Sequence, residues 1–340
     1  MMSDSSSVRK PGVFYAVTDE GVELPIVDIT HPEFALSIDA AEQQRLVDRW
    51  LAEQAPFRRL PNWLRGALMK LALRRSVLGR ALGTASGTYL SGLNTYLMKL
   101  GPNNLEAVTR ERIDLRIAAS VPMLSIRLRL QDVASLLAEF MTPVLLAEPG
   151  RPVHLLNIAG GPTMDSLNAL ILLKRDRPEA LVNRRITILV LDLDTAGPAF
   201  ASRALAALSV PNGPLHGLNI ELHHRSYNWA RAADLAPVLD AAKKEGAWVG
   251  VSSEGGLFDY GSDEEVVANL QVLRASAGLV VGSVTRNDDL MRGMLAASTV
   301  TLRPRGHVAF GALARTAGWR VARVIERPVC DQVALLPGSG

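Results

Sequence analysis

From about residue 150 onward the chain repeats one rhythm: a short apolar run, a turn, an amphipathic stretch, then another apolar run. The runs at 153–159 (VHLLNIA), 186–193 (ITILVLDL), 247–252 (AWVGVS) and 279–284 (LVVGSV) are short and almost continuously apolar, and 218–223 is a further short strand-like run. Runs of that length have no solvent face and read as strands buried on both sides. The stretches between them, 163–174, 198–208, 234–244 and 263–275, carry helical periodicity. Strict strand–helix alternation predicts a parallel sheet with helices on both faces. A last helix at 307–316, closed by Gly318, leads into strands at 319–325 and 329–336. Only Glu326-Arg327-Pro328 separates those two strands, too little chain for a crossover helix, so they are predicted to pair antiparallel.

The first 150 residues read differently. Ala40–Gln54 places Leu46, Val47, Trp50 and Leu51 on one helical face. Pro61–Arg75, Ala107–Ala118 and Gln131–Met141 follow the same period, and Leu100-Gly101-Pro102-Asn103-Asn104 breaks it. At ~150 residues per domain, 340 residues suggest two units. The expected organisation is a disordered polar tail at 1–12, a helical N-terminal domain at 13–148 and a sheet domain at 149–340.

Composition excludes several classes. Hydrophobic residues are 48% and the net charge is only +3, which is a folded chain rather than a disordered one. A single cysteine, Cys330, excludes an internal disulfide and a cysteine-rich metal centre, so no metal site is expected. No window holds ~18 uninterrupted apolar residues and no signal-peptide pattern opens the chain. A soluble, cytoplasmic protein is therefore expected. The stretch from Gln54 to Leu105 contains no acid but carries basic residues such as Arg58, Arg65, Lys70 and Lys99. It lacks interleaved aromatics and reads as a solvated helix face, so no nucleic-acid partner is expected.

In open α/β sheets ligands bind outside the carboxyl ends of the strands, where strand order reverses. At the first strand's exit the chain reads Leu156-Asn157-Ile158-Ala159-Gly160-Gly161-Pro162-Thr163. Small residues there let backbone approach a ligand, and the helix that follows offers free N–H groups. The second strand ends in Asp192 and Asp194, carboxylates able to accept ribose hydroxyls. The plainer alternative is a tight strand-to-helix turn, with one aspartate serving as a helix N-cap. No GxxxxGK[ST] phosphate loop and no GxSxG nucleophile pattern is present.

Residues 150–340 resemble the class I S-adenosylmethionine-dependent methyltransferases. The glycine-rich exit of the first strand, Leu191-Asp192-Leu193-Asp194, and the run 317–325 into a terminal antiparallel hairpin carry that resemblance. It implies a Rossmann-like α/β sheet, mostly parallel, with S-adenosylmethionine as cofactor. Ala159, Gly160, Gly161 and Pro162 would pass beneath the methionine part, and Asp192 would hold the ribose with Asp194 as its rival. Tyr227 and Asn228 would flank the adenine, and Ser253 would line the reaction face. The chain departs from the family pattern at Asn157, where an acid is frequent, and at Ala159 and Thr163, where glycines are. Gly160 and Asp192 lie 32 residues apart, against ~20 in a Rossmann-type motif.

The resemblance implies methyl transfer to a small-molecule acceptor, largely apolar, at oxygen. His224, Glu254 and Tyr260 are the candidate bases. Tyr89, Asn94 and Tyr96, with Phe258 in the loop 255–260, are the candidate substrate contacts, expected to face each other across the crevice. A homodimer is compatible with the sequence. The alternatives are a non-catalytic protein of the same fold and a nicotinamide-dependent oxidoreductase. The latter calls for a GxGxxG turn that the chain lacks.

Overall fold

The computed structural model describes residues 9–61, 64, 76–83, 92–295 and 301–338. The expected helix over Pro61–Arg75 lies, but for Pro61 and Leu64, outside the described residues. So do Tyr89 and residues 1–8 of the expected tail.

Seven strands form the main sheet: β3 (Val153–Ile158), β4 (Arg185–Leu191), β5 (Asn219–Arg225), β6 (Trp248–Ser253), β7 (Ala277–Thr285), β8 (Trp319–Ile325) and β9 (Cys330–Pro337). Their order is β5-β4-β3-β6-β7-β9-β8. β3 pairs in parallel with both β4 and β6, β4 with β5, and β6 with β7. β9 runs antiparallel to β7 and to β8. This is the Rossmann-like α/β sheet with a terminal antiparallel hairpin that the sequence predicts. The chain winds outward from β3 to β5, then returns to β6 on the other side, so strand order reverses between β3 and β6. The strand exits at that reversal are Ile158 and Ser253.

Alternate side chains build two cores. Leu155, Ile186, Ile188 and Val281 face one way, and Leu156, Ile158, Val251 and Val280 the other. On the second face pack α8 (Ala236–Lys244), α9 (Leu257–Tyr260), α10 (Asp263–Leu273) and α12 (Gly306–Thr316), with Leu239, Phe258, Leu270 and Phe310 in the core. The first face is covered by α5 (Val121–Ala147), α6 (Met164–Asp176) and α7 (Ala196–Leu208). The N-terminal segment adds a two-stranded ribbon, β1 (Tyr15–Val17) and β2 (Glu23–Pro25), then α1 (Ala40–Arg58), α2 (Val77–Gly83), α3 (Gly92–Lys99) and α4 (Arg112–Ala118). α11 (Asp289–Leu295) follows β7. Leu24, Phe34, Leu78 and Tyr96 share one apolar cluster with Ile188 and Leu155, so the N-terminal segment and the sheet have a common core.

α5 is the main correction to the helical reading. It runs 27 residues, where the periodicity predicts only 131–141. Within its first half, Leu124–Leu130 alternates apolar and polar residues, which hides a helix from a 3.6-residue template. Pro122 sits in the first turn, where no N–H is needed, and Pro143 is carried inside the last turns. By length and composition α5 could cross a membrane, and half of its most apolar window is buried inside the protein. Arg184, 2% exposed, clamps its end: Nη2 donates to Leu145 O (2.8 Å) and Glu148 O (2.9 Å). Those carbonyls are the unpaired acceptors of a helix C-terminus, where a cation is favoured. The 32-residue gap from Gly160 to Asp192 is taken up by α6 and a 3-10 turn at Pro178–Leu181.

Candidate functional site

The turn after β3 is a chain of left-handed residues. Ala159 (φ 54°), Gly161 (φ 48°) and Thr163 (φ 51°) all have positive φ. Left-handed residues spaced through a turn bend it sharply and aim successive N–H groups inward. Here the inward group finds an acid of the same chain: Gly161 N donates to Asp192 Oδ2 (2.8 Å). The other oxygen of Asp192 accepts from Asp194 N (2.9 Å). Asp194 in turn accepts from Ala196 N (3.1 Å), closing the first turn of α7, and from Gly92 N (2.9 Å) at the start of α3. Burial holds the Asp192 carboxyl above its usual range, with the Asp194 charge adding to the effect and the two backbone donors opposing it.

Three glycines let these parts touch. A Cβ on Gly92 would lie 2.6 Å from Gly161 Cα, and one on Gly197 2.9 Å from the same atom. At Gly160 a Cβ would lie 2.4 Å from Asn157 Cβ. The glycines at 160 and 161 are thus required by close approach within the chain itself. Ala159 and Gly160 keep part of their surface exposed, while Gly161, Pro162 and Thr163 are buried.

Below the turn Asn157 is fully buried. Its Nδ2 lies within hydrogen-bond distance of Asp165 Oδ1 (2.9 Å), Ser166 Oγ (3.0 Å) and Ser252 Oγ (2.7 Å), and its Oδ1 accepts from Ser166 Oγ (3.1 Å). Asp165, the acid beside it, stands on the first turn of α6. Burial, then the nearby Glu254 charge, raises the Asp165 carboxyl above its ordinary value.

A second acidic centre stands at the end of β6. Glu254 pairs with Lys99 Nζ of α3 (2.5 Å) and with Arg129 Nε of α5 (3.0 Å). Arg129 also approaches Asp259 at 3.8 Å. Asp259 is anchored further by Thr285 N (2.8 Å), Thr285 Oγ1 (2.7 Å) and Ser283 Oγ (2.8 Å). All four charged side chains are buried or nearly so.

α3 therefore lies as a bar across the strand reversal. Its first residue is pinned at the end of β4 and its last at the end of β6, on either side of β3. Seven helical steps span about 11 Å. The two strand spacings from β4 to β6 span about 10 Å.

The sequence-predicted residues fall into distinct groups. Ala159, Gly160, Gly161, Pro162, Asp192 and Asp194 converge at the β3 and β4 exits. Segments 92–104 and 254–260 do meet over those exits, but through the Lys99–Glu254 pair and not through their aromatic side chains. Tyr96 is fully buried: its hydroxyl donates to Pro25 O (2.6 Å), accepts from Val27 N (3.1 Å), and its ring packs on Phe200 at 4.9 Å. Phe258 is 1% exposed and stacks on Phe310 at 4.6 Å. Both belong to the cores. Asn94 is half-buried on α3.

Tyr227 is in the second core with its hydroxyl on Asn269, and Asn228 accepts from Ala230 N (3.0 Å) as a helix cap. Ser253 donates to Ile158 O (3.1 Å) and accepts from Leu257 N (2.9 Å), tying α9 to the end of β3. Among the candidate bases, Glu254 is held by two cations. His224 is exposed, and its Nε2 lies 2.9 Å from Asp192 O, so that nitrogen carries the proton. Burial, with the Asp259 charge, pushes the Tyr260 phenol up to about 12, which makes it a donor at neutral pH.

No protein-family model and no curated protein matches the chain. Among solved structures it is similar to magnesium protoporphyrin IX methyltransferase from Synechocystis PCC 6803 with bound SAH, at TM-score 0.41 and 12% identity, over 64% of this chain and 87% of that one. It is similar to N,N-8-amino-8-demethyl-D-riboflavin dimethyltransferase from Streptomyces davawensis, at TM-score 0.38 and 14% identity, over 80% and 68%. It is also similar to the glycopeptide N-methyltransferase MtfA, at TM-score 0.34 and 11% identity, over 59% and 93%.

Proposed function

We propose that the chain is an S-adenosylmethionine-dependent methyltransferase, acting at oxygen on a small, largely apolar acceptor. The observation that carries this reading is the acidic glycine turn at the strand reversal: Gly160 and Gly161 leave β3 beside Asp192 and Asp194, at the ends of adjacent parallel strands. The residues present fit such a cofactor. Each carboxylate oxygen of Asp192 has one backbone donor in the contacts above, leaving a second lone pair for a ribose hydroxyl. Thr163 Oγ1, buried in the same turn, has no hydrogen-bond partner among the described residues. Ala159 and Gly160 present backbone to the crevice without bulky side chains.

When bound, the cofactor supplies a methyl group already activated on a sulfonium, so the chain's task is positioning. Asp192 orients the ribose, with Asp194 beside it. The turn 159–163 carries the adjoining part of the cofactor at the start of α6. α3, laid across the crevice, excludes water from it. Lys99 and Arg129 fix Glu254 beside the reacting region. Tyr260 remains protonated and can donate a hydrogen bond to the acceptor.

A second reading is favoured by one observation, the seat of Gly92 on Gly161. If α3 stays across the reversal, the chain is a non-catalytic protein of this fold. Calorimetry with S-adenosylmethionine separates the two: saturable binding supports the enzyme, and no heat at millimolar cofactor supports the closed, non-catalytic form.

A further inference from the structure

A histidine–carboxylate pair outside the residues considered so far lies on the same edge of the sheet. β7 is parallel to β3, so its exit, Thr285, opens on the edge where β3 and β6 open. The chain returns there after α11: Arg303 N donates to Asp259 O (2.8 Å) and Arg305 N to Thr285 O (3.1 Å). Two residues later His307 enters the first turn of α12. Its Nδ1 lies 2.8 Å from Asp331 Oδ2. Asp331 is 1% exposed and stands in register with Val284, one residue before the end of β7. Its other oxygen lies 3.3 Å from Arg286 Nη1, and Arg286 is held in turn by Asp288 (2.7 Å).

A carboxylate only accepts, so Nδ1 must carry the proton. In the neutral ring Nε2 then holds a lone pair. The imidazole is half-buried, and Nε2 has no hydrogen-bond partner in the described structure. Asp331 is fixed on its far side by Arg286, so ring tautomer and orientation are both set. A base whose second nitrogen is held by a buried carboxylate is the arrangement that activates hydroxyl nucleophiles on unrelated folds.

We infer that His307, oriented by Asp331 and Arg286, is the general base that takes the proton of the acceptor's hydroxyl. The inference rests on the methyl-transfer reading. In the step, the acceptor oxygen forms its bond to the methyl carbon as its proton passes to His307 Nε2. The C–S electron pair stays with sulfur, which becomes a neutral thioether, and the imidazolium returns its proton to solvent. Glu254 is held by two cations, Tyr260 stays protonated and His224 is exposed on the edge strand β5, which leaves this role open. Arg286 and Asp331 are positioning residues.

The test has two arms on the full chain. Nitrogen-15 NMR of the histidine rings reads the tautomer without any transfer. The expected spectrum has neutral His307 protonated at Nδ1, and Asp331→Leu redistributes that proton. A ring protonated at Nε2 overturns the inference, whatever the chain transfers. The second arm measures methyl transfer to 2-naphthol and to thiophenol, the first protonated and the second largely ionised near pH 8. General-base catalysis typically contributes at least about a hundredfold. His307→Gln is therefore expected to lose about that factor with the naphthol and little with the thiolate. An equal loss with both, or none with either, overturns the base. A wild-type chain that binds no S-adenosylmethionine sinks the functional reading instead, and leaves the tautomer result standing on its own.

Discussion

The two acidic strand ends beside β3 are both closed by the N-terminal segment, yet they are closed in different ways. At the end of β4, Asp192 and Asp194 accept, among the described residues, from the backbone N–H groups of Gly161, Asp194, Ala196 and Gly92. At the end of β6, Glu254 and Asp259 are met by side-chain cations, Lys99 and Arg129. Neutral backbone donors contribute about 0.5–1.5 kcal/mol each and leave lone pairs open to a ligand's hydroxyls. Buried ion pairs bind each partner tightly, and removal of one strands the others in low dielectric. The first end is therefore built to exchange partners, and the second to hold its geometry. Under the proposed function, that division would place the cofactor's ribose on β4 while β6 anchors the roof.

The largest effect expected from this contrast is at Glu254. Glu254→Ala leaves Lys99 and Arg129 buried without their partner and should cost about 3–5 kcal/mol of stability, read from the urea midpoint. A loss under 1 kcal/mol would mean that water already reaches the pair and that the two strand ends do not differ. Asp192→Ala should act on the ligand instead. S-adenosylmethionine affinity should fall by ~1.5–3 kcal/mol, roughly tenfold to a hundredfold, in calorimetry. If Asp194→Ala weakens binding and Asp192→Ala does not, the ribose acid is Asp194.

Next comes the glycine contact. Gly161→Ala places a Cβ 2.9 Å from Gly92 Cα on a residue with φ 48° and should cost about 1–3 kcal/mol of stability. Hydrogen exchange should rise in α3, which is the part pushed away. Unchanged exchange there would show that α3 does not sit on the turn in solution.

The smallest effect concerns Asp165. Its carboxyl is raised by burial and by the Glu254 charge, so the folded state holds the proton more tightly than the unfolded chain does. Stability from this group is therefore lost as pH rises from the ordinary carboxylate range, about 4, through the raised value. Asp165→Asn keeps an oxygen for Asn157 Nδ2 and Ser166 N, and removes that dependence. The variant should match the wild type near pH 4 and gain on it as pH rises, in chemical-denaturation series. A pH-independent difference would contradict the assignment.

The parallel sheet was legible because its central strands, β3, β6 and β7, are buried on both faces and so are written as nearly unbroken apolar runs. The boundaries of β8 coincide with the sequence reading, and those of the other six strands of this sheet differ by one or two residues. The N-terminal half was less legible. The ribbon at 15–25 has three-residue strands, too short to show a period, and α5 is apolar on several sides, so no single stripe marks it.

At the site, the turn 159–163 and the two aspartates were visible as a motif, because small residues and acids at strand exits are local features. Their partners were not. Gly92 reaches Asp194 from 102 residues away, and Lys99 reaches Glu254 from 155 away. Tyr96 and Phe258 were read as lining because aromatic residues near a crevice serve pockets and cores alike, and only burial separates the two. The His307–Asp331 pair had one faint signal: a histidine opening a helix and an aspartate near the start of a mostly apolar strand, 24 residues apart.

The central claim is that the crevice between the β3 and β4 exits takes S-adenosylmethionine, with the ribose hydroxyls on the open lone pairs of Asp192. Isothermal titration calorimetry of the full chain, alongside Asp192→Ala, tests it most directly. The account predicts one saturable site in the wild type at sub-millimolar cofactor and a clear loss of affinity in the variant, with the fold intact by circular dichroism. A folded wild type that gives no heat at millimolar S-adenosylmethionine, or a variant that binds as well as the wild type, would contradict it.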